Sequence, residues 1–435
     1  MKGLINYQKK FYEYKEKGKK INVSLLGAGF MGKALVSQYI QSGVLNPLLI
    51  SSRHIEDAIE AYLAAGIARE DIIKITSADE ISDLNKYYIC EDKELLYKSE
   101  HIDYVIDATG EPIVGTEISY NALMNGKNVI TFNLESDVCV GTVLSKIAEE
   151  KGLIYTGIDG DEPGTVLELY NEAKIMGFDV LAIGKGKNNE VDLEANPDTV
   201  CESAKEKGIK KEMLASFVDG TKTMVEMATM SNATGFRVDV DGGHGIKSDI
   251  KSLDKKLCLK SEGGVLNSYG IVDYVNGIAP GVFVIVKSDL KKIDHLMRFL
   301  KMGEGPNYVL YRPYHLTSIE TINTVLKAHF DKLEAIKPIS EIPYSDVVAI
   351  AKKDMKKGEK LDYIGGYTFY GKCMDFEKSR EKNLVPISVI NEGAVLSRDI
   401  KKGECIDYNS VELDSETLVY KLRKEIEAKY EASRR

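Results

Sequence analysis

Ile21-Asn22-Val23-Ser24-Leu25-Leu26-Gly27-Ala28-Gly29-Phe30-Met31-Gly32 is the stretch on which the reading of the fold turns. A short apolar run leads straight into Gly-x-Gly-x-x-Gly. A helical pattern follows, with Ala34, Leu35, Tyr39 and Ile40 on one face. The glycine pattern alone is weak. Placed between a strand and a helix, it is the dinucleotide-binding fingerprint. Gly27 permits the tight turn, Gly29 lets the backbone approach a pyrophosphate, and Gly32 lets helix and strand pack closely. The helix opening at Phe30 and Met31 offers free N–H groups and a positive dipole end to the phosphates.

Working outward, strands and helices alternate. Leu48–Ile50 predicts a second strand, residues 55–66 a helix, and Ile72–Ile75 a third strand. Tyr104–Asp107 predicts a fourth, ended by Ala108-Thr109-Gly110. A helix around 115–125 then leads into a strand at Asn128–Phe132. Such alternation implies a doubly wound parallel sheet. In that fold the residue that reads the adenine ribose lies about twenty positions beyond the glycines. Here it falls in Ser51-Ser52-Arg53, with no carboxylate in the run to bind a free 2′-hydroxyl. Arg53 can pair with a 2′-phosphate, so NADP is expected ahead of NAD. Ser52 and Arg53 join Gly27, Gly29, Phe30, Met31 and Gly32 as cofactor residues. Thr109 and Gly110 are expected at the nicotinamide half, since ligands lie at the carboxyl ends of strands near the switch point.

The 435 residues exceed one ordinary core, so two or three domains are expected. With 58 basic and 67 acidic residues the net charge is −9, which argues against a general nucleic-acid binder and for a small-molecule partner. No apolar run reaches the length of a membrane span. Met1–Lys20 reads as an amphipathic helix and not as a signal peptide. The six cysteines stand far apart, with no Cys-x-x-Cys pair. Reduced thiols in a cytoplasmic protein fit that pattern.

After about residue 155 the rhythm gives way to glycine-rich polar turns: 157–164, 184–187, 219–222, 232–235 and 241–245. The division expected is a Rossmann domain over 1–155, a catalytic and oligomerisation domain over 156–337 whose last helix could pack back on the Rossmann sheet, and a third domain over 338–435. Ile336-Lys337-Pro338 would be the linker. The third part contains an internal echo. Ala351-Lys352-Lys353-Asp354-Met355-Lys356-Lys357-Gly358-Glu359 is repeated as Ser397-Arg398-Asp399-Ile400-Lys401-Lys402-Gly403-Glu404, each ending in a tight turn. A small all-β module with a charged tail helix from Asp414 is the reading.

These motifs together resemble a known family. Gly27–Gly32, Gly160-Asp161-Glu162-Pro163, Gly184-Lys185-Gly186-Lys187, Pro197-Asp198-Thr199-Val200, Asp219-Gly220-Thr221-Lys222 with Glu226-Met227-Ala228, and Asn232-Ala233-Thr234-Gly235 carry the resemblance. The family is that of the homoserine dehydrogenase-like oxidoreductases with a C-terminal SAF domain. It includes the 1-deoxy-D-xylulose 5-phosphate reductoisomerase-like enzymes. The resemblance implies a Rossmann domain, an α+β homoserine dehydrogenase-like catalytic domain and a β-clip SAF domain. It also implies a homo-oligomer, and a catalytic lysine and carboxylate in the second domain.

Hydride transfer to a carbonyl needs a proton donor for the developing alkoxide and a positive charge to stabilise it. A lysine serves both ends when burial or a cationic neighbour lowers its pKa. Lys222, with Asp219 three residues before it and Glu226 four after, is the first candidate, and Lys185 is the second. Asp159, Asp161 and Glu162 form an acidic cluster in a glycine-bounded loop. They would hold Mg²⁺ or Mn²⁺, bind substrate hydroxyls, or cap a helix beginning near Thr165. Asp219 and Glu162 are the carboxylates assigned to catalysis. Arg312 is a further anion-binding candidate, set against a structural role. The expected activity is NADP-dependent hydride transfer on a small polyoxygenated substrate. A reductoisomerase, or a non-enzymatic dinucleotide sensor, is the alternative.

Overall fold

The computed structural model describes residues 5–434. In it the chain packs as two compact units, one holding residues up to Gly160 with Leu316–Lys337, the other Asp161–His315 with the chain from Pro338 onward. The first unit opens with α1 (Asn6–Glu16), β1 (Ile21–Leu26), α2 (Phe30–Ser42), β2 (Leu45–Ser51) and α3 (Ile55–Ala64). It continues through β3 (Ile72–Lys74), β4 (Tyr87–Cys90), α4 (Leu95–Lys98), β5 (Tyr104–Asp107), α5 (Pro112–Met124), β6 (Asn128–Thr131), α6 (Leu134–Glu150) and β7 (Tyr155–Thr156).

The seven strands form one parallel sheet in the order β3-β4-β2-β1-β5-β6-β7. Every residue of β2 is buried, as expected for a strand covered on both faces. Val23, Leu25, Leu35, Val36, Tyr39, Ile50 and Ile106 meet in the core, and each fully buried aliphatic side chain among them contributes about 1.5–3 kcal/mol. The order reverses at β1, so the carboxyl ends of β1 and β5 flank a switch point. One strand escapes the sequence reading. Tyr87–Cys90 pairs with both β2 and β3, which makes Tyr104–Asp107 the fifth strand and not the fourth. The predicted N-terminal helix is present as α1, and its first four residues lie outside the described ones.

The second unit comprises α7 (Glu162–Ile175), β8 (Asp179–Lys187), α8 (Cys201–Lys207), α9 (Lys211–Val218), α10 (Thr221–Thr234), α11 (Leu253–Lys256), β9 (Ile271–Asn276), β10 (Val282–Lys287), α12 (Lys291–Phe299) and β11 (Asn307–Arg312). Its four strands run β11-β10-β8-β9, with β8 and β9 parallel and the other pairs antiparallel. Helix α7 lies on β8 and β10, and α10 lies on β9 and α7. Helix α13 (Thr317–Asp331) belongs to the first unit, where it packs on α1 and α2. The chain then adds β12 (Ser345–Ala351), β13 (Phe369–Asp375), α14 (Phe376–Glu381), β14 (Val395–Leu396), β15 (Val411–Glu412) and α15 (Leu418–Ser433) to the second unit. Both β12 and β13 lie against α10.

The echo in sequence is an echo in space. Met355 and Ile400 exchange backbone hydrogen bonds at 2.9 and 3.0 Å. Asp399 accepts from Lys356 Nζ and Lys357 N at 2.8 and 3.0 Å, and Asp354 accepts from Lys401 Nζ and Lys402 N at 2.8 and 2.9 Å. Each copy's aspartate therefore caps the other copy's Lys-Lys-Gly-Glu turn. Gly358 and Gly403 occupy the left-handed region these turns require.

Candidate active site

The glycine loop has the close approaches that its fingerprint requires. Gly27 stands at φ 98°, and a Cβ there would lie 3.2 Å from Ala108 O. A Cβ on Gly32 would collide with Gly27 O. Gly29, the N-cap of α2, has open space beyond it, and Phe30 at the helix start is 60% exposed. The backbone around Gly29 is thus a cradle that a side chain would fill, at a helix N-terminus suited to a pyrophosphate. Ser51 and Ser52 are buried at the end of β2, and Ser52 N donates to Cys90 O at 3.1 Å. Arg53 is exposed and donates to Glu111 at 2.7 Å. A carboxylate therefore does reach the ribose-reading position, from a distant part of the chain. Thr109 and Gly110 follow the carboxyl end of β5. Thr109 donates from both N and Oγ1 to Asp107, at 3.0 and 2.7 Å. Asp107 is fully buried. Burial pushes its carboxyl up to about 6 against the hydrogen bonds from Thr109.

The second unit gathers its ionisable groups around Lys185. Asp161 caps α7, accepting from Glu162 N at 3.1 Å, so the helix starts at Glu162 and not near Thr165. On β8 glycine alternates with lysine. A Cβ on Gly184 would collide with Asp273 O, and one on Gly186 with Ala279. The glycines admit neighbouring backbone on one side, and the period of two sends Lys185 and Lys187 to the other. Lys185 Nζ donates to Glu162 at 2.6 Å and to Glu226 of α10. His315 Nε2 lies 3.4 Å from the same oxygen of Glu162. Lys222, half-buried in the first turn of α10, faces Asp161 and Glu226 closely enough to affect the titration of both.

Charge sorts these groups. Burial opposes the ammonium of Lys185, but Glu162 and Glu226 overcome it and hold its pKa above the usual value. The expectation of a lysine depressed by its surroundings therefore fails at Lys185. It holds at Lys187, which sequence reasoning passed over. Burial first, and Lys185 second, bring Lys187 down to about 8, while its Nζ donates to Phe217 O at 2.7 Å. The signal was present, since Lys187 shares the strand face of Lys185. Burial would raise Glu162, but Lys185 and His315 hold it well below the usual carboxylate range. Burial and the neighbouring Glu162 charge push Asp161 well above that range. Two adjacent carboxyls with pKa values driven apart are the pattern of an acid–base site.

Other candidates sit elsewhere. Asp219 is buried, accepts from Thr221 N at 2.8 Å, and has its other oxygen 2.8 Å from Lys352 Nζ. Asp159 belongs to the first unit, bound by Lys327 at 2.7 Å and Thr324 at 3.0 Å. The acidic loop is therefore divided. Among the described residues, Asp161, Glu162 and His315 bring their ligand atoms within 4.8 Å of one another. Arg312 stacks on Tyr314 and reaches Glu168 at 3.3 Å.

A family model for the catalytic domain of the oxidoreductase DRL matches residues 160–321. No curated protein matches the chain. Among solved structures, a variant of a 3-ketoreductase from Actinomadura kijaniata, in complex with TDP-benzene and NADP, is 14% identical over 40% of this chain and 49% of its own, with a TM-score of 0.29. The chain thus spans about half the length of that structure. A candidate NADPH-dependent oxidoreductase from Desulfitobacterium hafniense is 10% identical over 74% of this chain and 90% of its own, with a TM-score of 0.41. Scyllo-inositol dehydrogenase from Lactobacillus casei, with bound NAD(H) and scyllo-inositol, is 13% identical over 67% and 76%, with a TM-score of 0.38. Among the described residues no helix is long and apolar enough to cross a membrane. The matched segment, 160–321, contains Asp161, Glu162, Lys185, Lys222, Glu226 and His315, and over that segment the chain is similar to an oxidoreductase catalytic domain.

Proposed function

We propose that the chain is an NADP-dependent oxidoreductase that interconverts carbonyl and alcohol on a small polyoxygenated substrate, sugar-like or homoserine-like. The observation that carries the reading is the buried cluster of Lys185 between Glu162 and Glu226, with Lys222 and Asp161 beside it. The dinucleotide would be held by the Gly27–Gly32 loop, with Arg53 for a 2′-phosphate and Thr109 and Gly110 toward the nicotinamide. When bound, the nicotinamide supplies or accepts the hydride. Lys185, kept protonated by two carboxylates, offers fixed positive charge to a substrate oxygen. Lys222 Nζ gives its proton to the developing alkoxide, or takes it back in the oxidative direction. The dipole of α10, whose N-terminal turn carries Lys222, favours negative charge at the same place. The chain from Pro338 is read as the SAF module, and the assembly as a homo-oligomer.

The alternative, reductive isomerisation with a divalent cation, is favoured by one feature. Asp161, Glu162 and His315 bring two carboxylates and an imidazole together, a donor set compatible with Mn²⁺ or Mg²⁺. Glu162 is already shared by Lys185 and His315, so an ion there would compete with both.

Calorimetric titration with NADP and NAD, followed by nicotinamide absorbance against a panel of polyols, hydroxyketones and sugar phosphates, tests the reading. Tighter NADP binding and turnover that survives chelation by EDTA support it. Turnover only with added Mn²⁺ or Mg²⁺ favours the isomerase, and binding of neither dinucleotide refutes both.

A further inference from the structure

Helix α10 presents Lys222 and Glu226 to the charged cluster, and both of its ends are held by residues beyond Pro338. At the N-terminal end, Asp219 links α9 to α10 through the left-handed Gly220. One oxygen of Asp219 accepts from Thr221 N at 2.8 Å, and the other faces Lys352 Nζ at 2.8 Å. Lys352 follows β12 and is itself buried. Its ammonium donates to the carbonyls of Ala195 and Gly366 at 2.5 and 2.8 Å and takes its countercharge from Asp219. Beside it, Gly371 N of β13 donates to the Thr221 hydroxyl at 2.8 Å. A Cβ on Gly371 would stand 2.9 Å from the Thr221 methyl and 2.8 Å from Val347, so the strand and the helix turn are in tight contact. At the far end of α10, Asn232 accepts from Tyr344 N and Ser345 N at 2.8 and 3.0 Å, and the hydroxyls of Ser231 and Ser345 lie 2.7 Å apart.

A buried ion pair is a poor means of adding stability, because desolvation consumes most of the Coulomb gain, while fixing one geometry is its better-attested use. Here the geometry fixed is that of the residue immediately before the proposed proton donor. We infer that Lys352 and Thr221 are positioning residues for Lys222. Through Asp219 and the N–H of Gly371 they fix the first turn of α10, so residues beyond Pro338 belong to the catalytic apparatus. The inference rests on the reading of Lys222 as proton donor. Displacing a reacting group by about 1 Å costs on the order of 10²-fold in rate.

The test uses the full chain. Thr221→Val removes the acceptor of Gly371 N, and Thr221→Ser restores it. Lys352→Met combined with Asp219→Asn removes both charges together while keeping an acceptor for Thr221 N. Lys421→Ala on α15, which breaks an exposed pair with Glu416 just before the helix, is the control. Acetic anhydride labelling across pH, read at Lys222 by mass spectrometry, reports the environment of that ammonium without any substrate. Circular dichroism reports folding. Turnover is measured on whichever compound of the polyol and sugar-phosphate panel the wild type accepts. The expected result is that Thr221→Val and the charge-free pair stay folded, the pH profile of Lys222 labelling shifts, and kcat falls on the order of 10²-fold with KM nearly unchanged. Thr221→Ser and Lys421→Ala remain like wild type. If the double variant unfolds, the Thr221 series decides alone. Unchanged labelling and unchanged kcat in folded Thr221→Val overturn the inference. Shifted labelling with unchanged kcat also overturns it, through the role of Lys222 and not through the brace.

Discussion

Lys185→Met takes the cation from between two buried carboxylates. In the wild-type chain Nζ binds Glu162 at 2.6 Å and also Glu226, with the three side chains 8%, 14% and 4% exposed. Removing one partner of a buried pair costs about 3–5 kcal/mol, because the orphaned charge stays desolvated. Lys222 remains beside Glu226, which places the loss toward the lower end of that range, at about 3 kcal/mol. For a unit of this size that is roughly 6–12 °C in Tm. The sign with pH follows from the shift. Lys185 and His315 hold Glu162 below its ordinary value against burial. Its stabilising contribution is therefore present above the unfolded pKa of about 4.3 and lost as pH falls through the folded value. Without Lys185, burial dominates and both carboxyls rise. The variant then binds protons that the wild type does not, and acid partly restores it. Thermal melts followed by circular dichroism should show the full deficit at about pH 8 and a clearly smaller one at about pH 5. A deficit under about 2 °C at the higher pH, or one independent of pH, refutes the electrostatic account of this cluster.

Glu111→Gln releases Arg53 from its ion pair. Calorimetry should show NADP affinity rising relative to NAD, and an unchanged ratio would mean that Arg53 does not meet the 2′-phosphate. Asp137 is fully buried, and burial pushes it up to about 6 against a hydrogen bond from Tyr155 at 3.0 Å. The fold therefore loses stability as pH rises from about 4 to about 6, by up to about 3 kcal/mol. Asp137→Asn removes that penalty, so in urea unfolding it should exceed the wild type at about pH 8 and match it near pH 4. A less stable variant at the higher pH contradicts the assignment.

The first unit was largely legible because its signals are local. An apolar run, three glycines at fixed spacing and a helical pattern lie within about twenty residues of one another. Tyr87-Tyr88-Ile89-Cys90 was missed because four residues between polar turns carry too little periodicity, and its pairing with β2 and β3 is a tertiary fact. The lysines of the second unit were visible, but their partners were not. Lys185 meets Glu162 and Glu226 across 23 and 41 positions. Asp219 stood three residues before Lys222 and read as its partner, yet the helical turn carries it to Lys352. The acidic loop read as one cluster, and the structure commits Asp159 to Lys327 and gives Asp161 and Glu162 to His315. The echoed Lys-Lys-Gly-Glu turns were legible as a repeat. That each aspartate caps the other copy's turn required the fold.

The central claim is that Lys222 transfers the proton that accompanies hydride transfer, and Lys222→Met tests it most directly, because Met keeps the apolar stem and removes only the charge. Turnover by nicotinamide absorbance and NADP affinity by calorimetry are measured on the same folded preparation. The account predicts unchanged NADP affinity and a loss in kcat of about 10²- to 10⁴-fold. Near-normal turnover, or equal loss of NADP binding and activity, would contradict it.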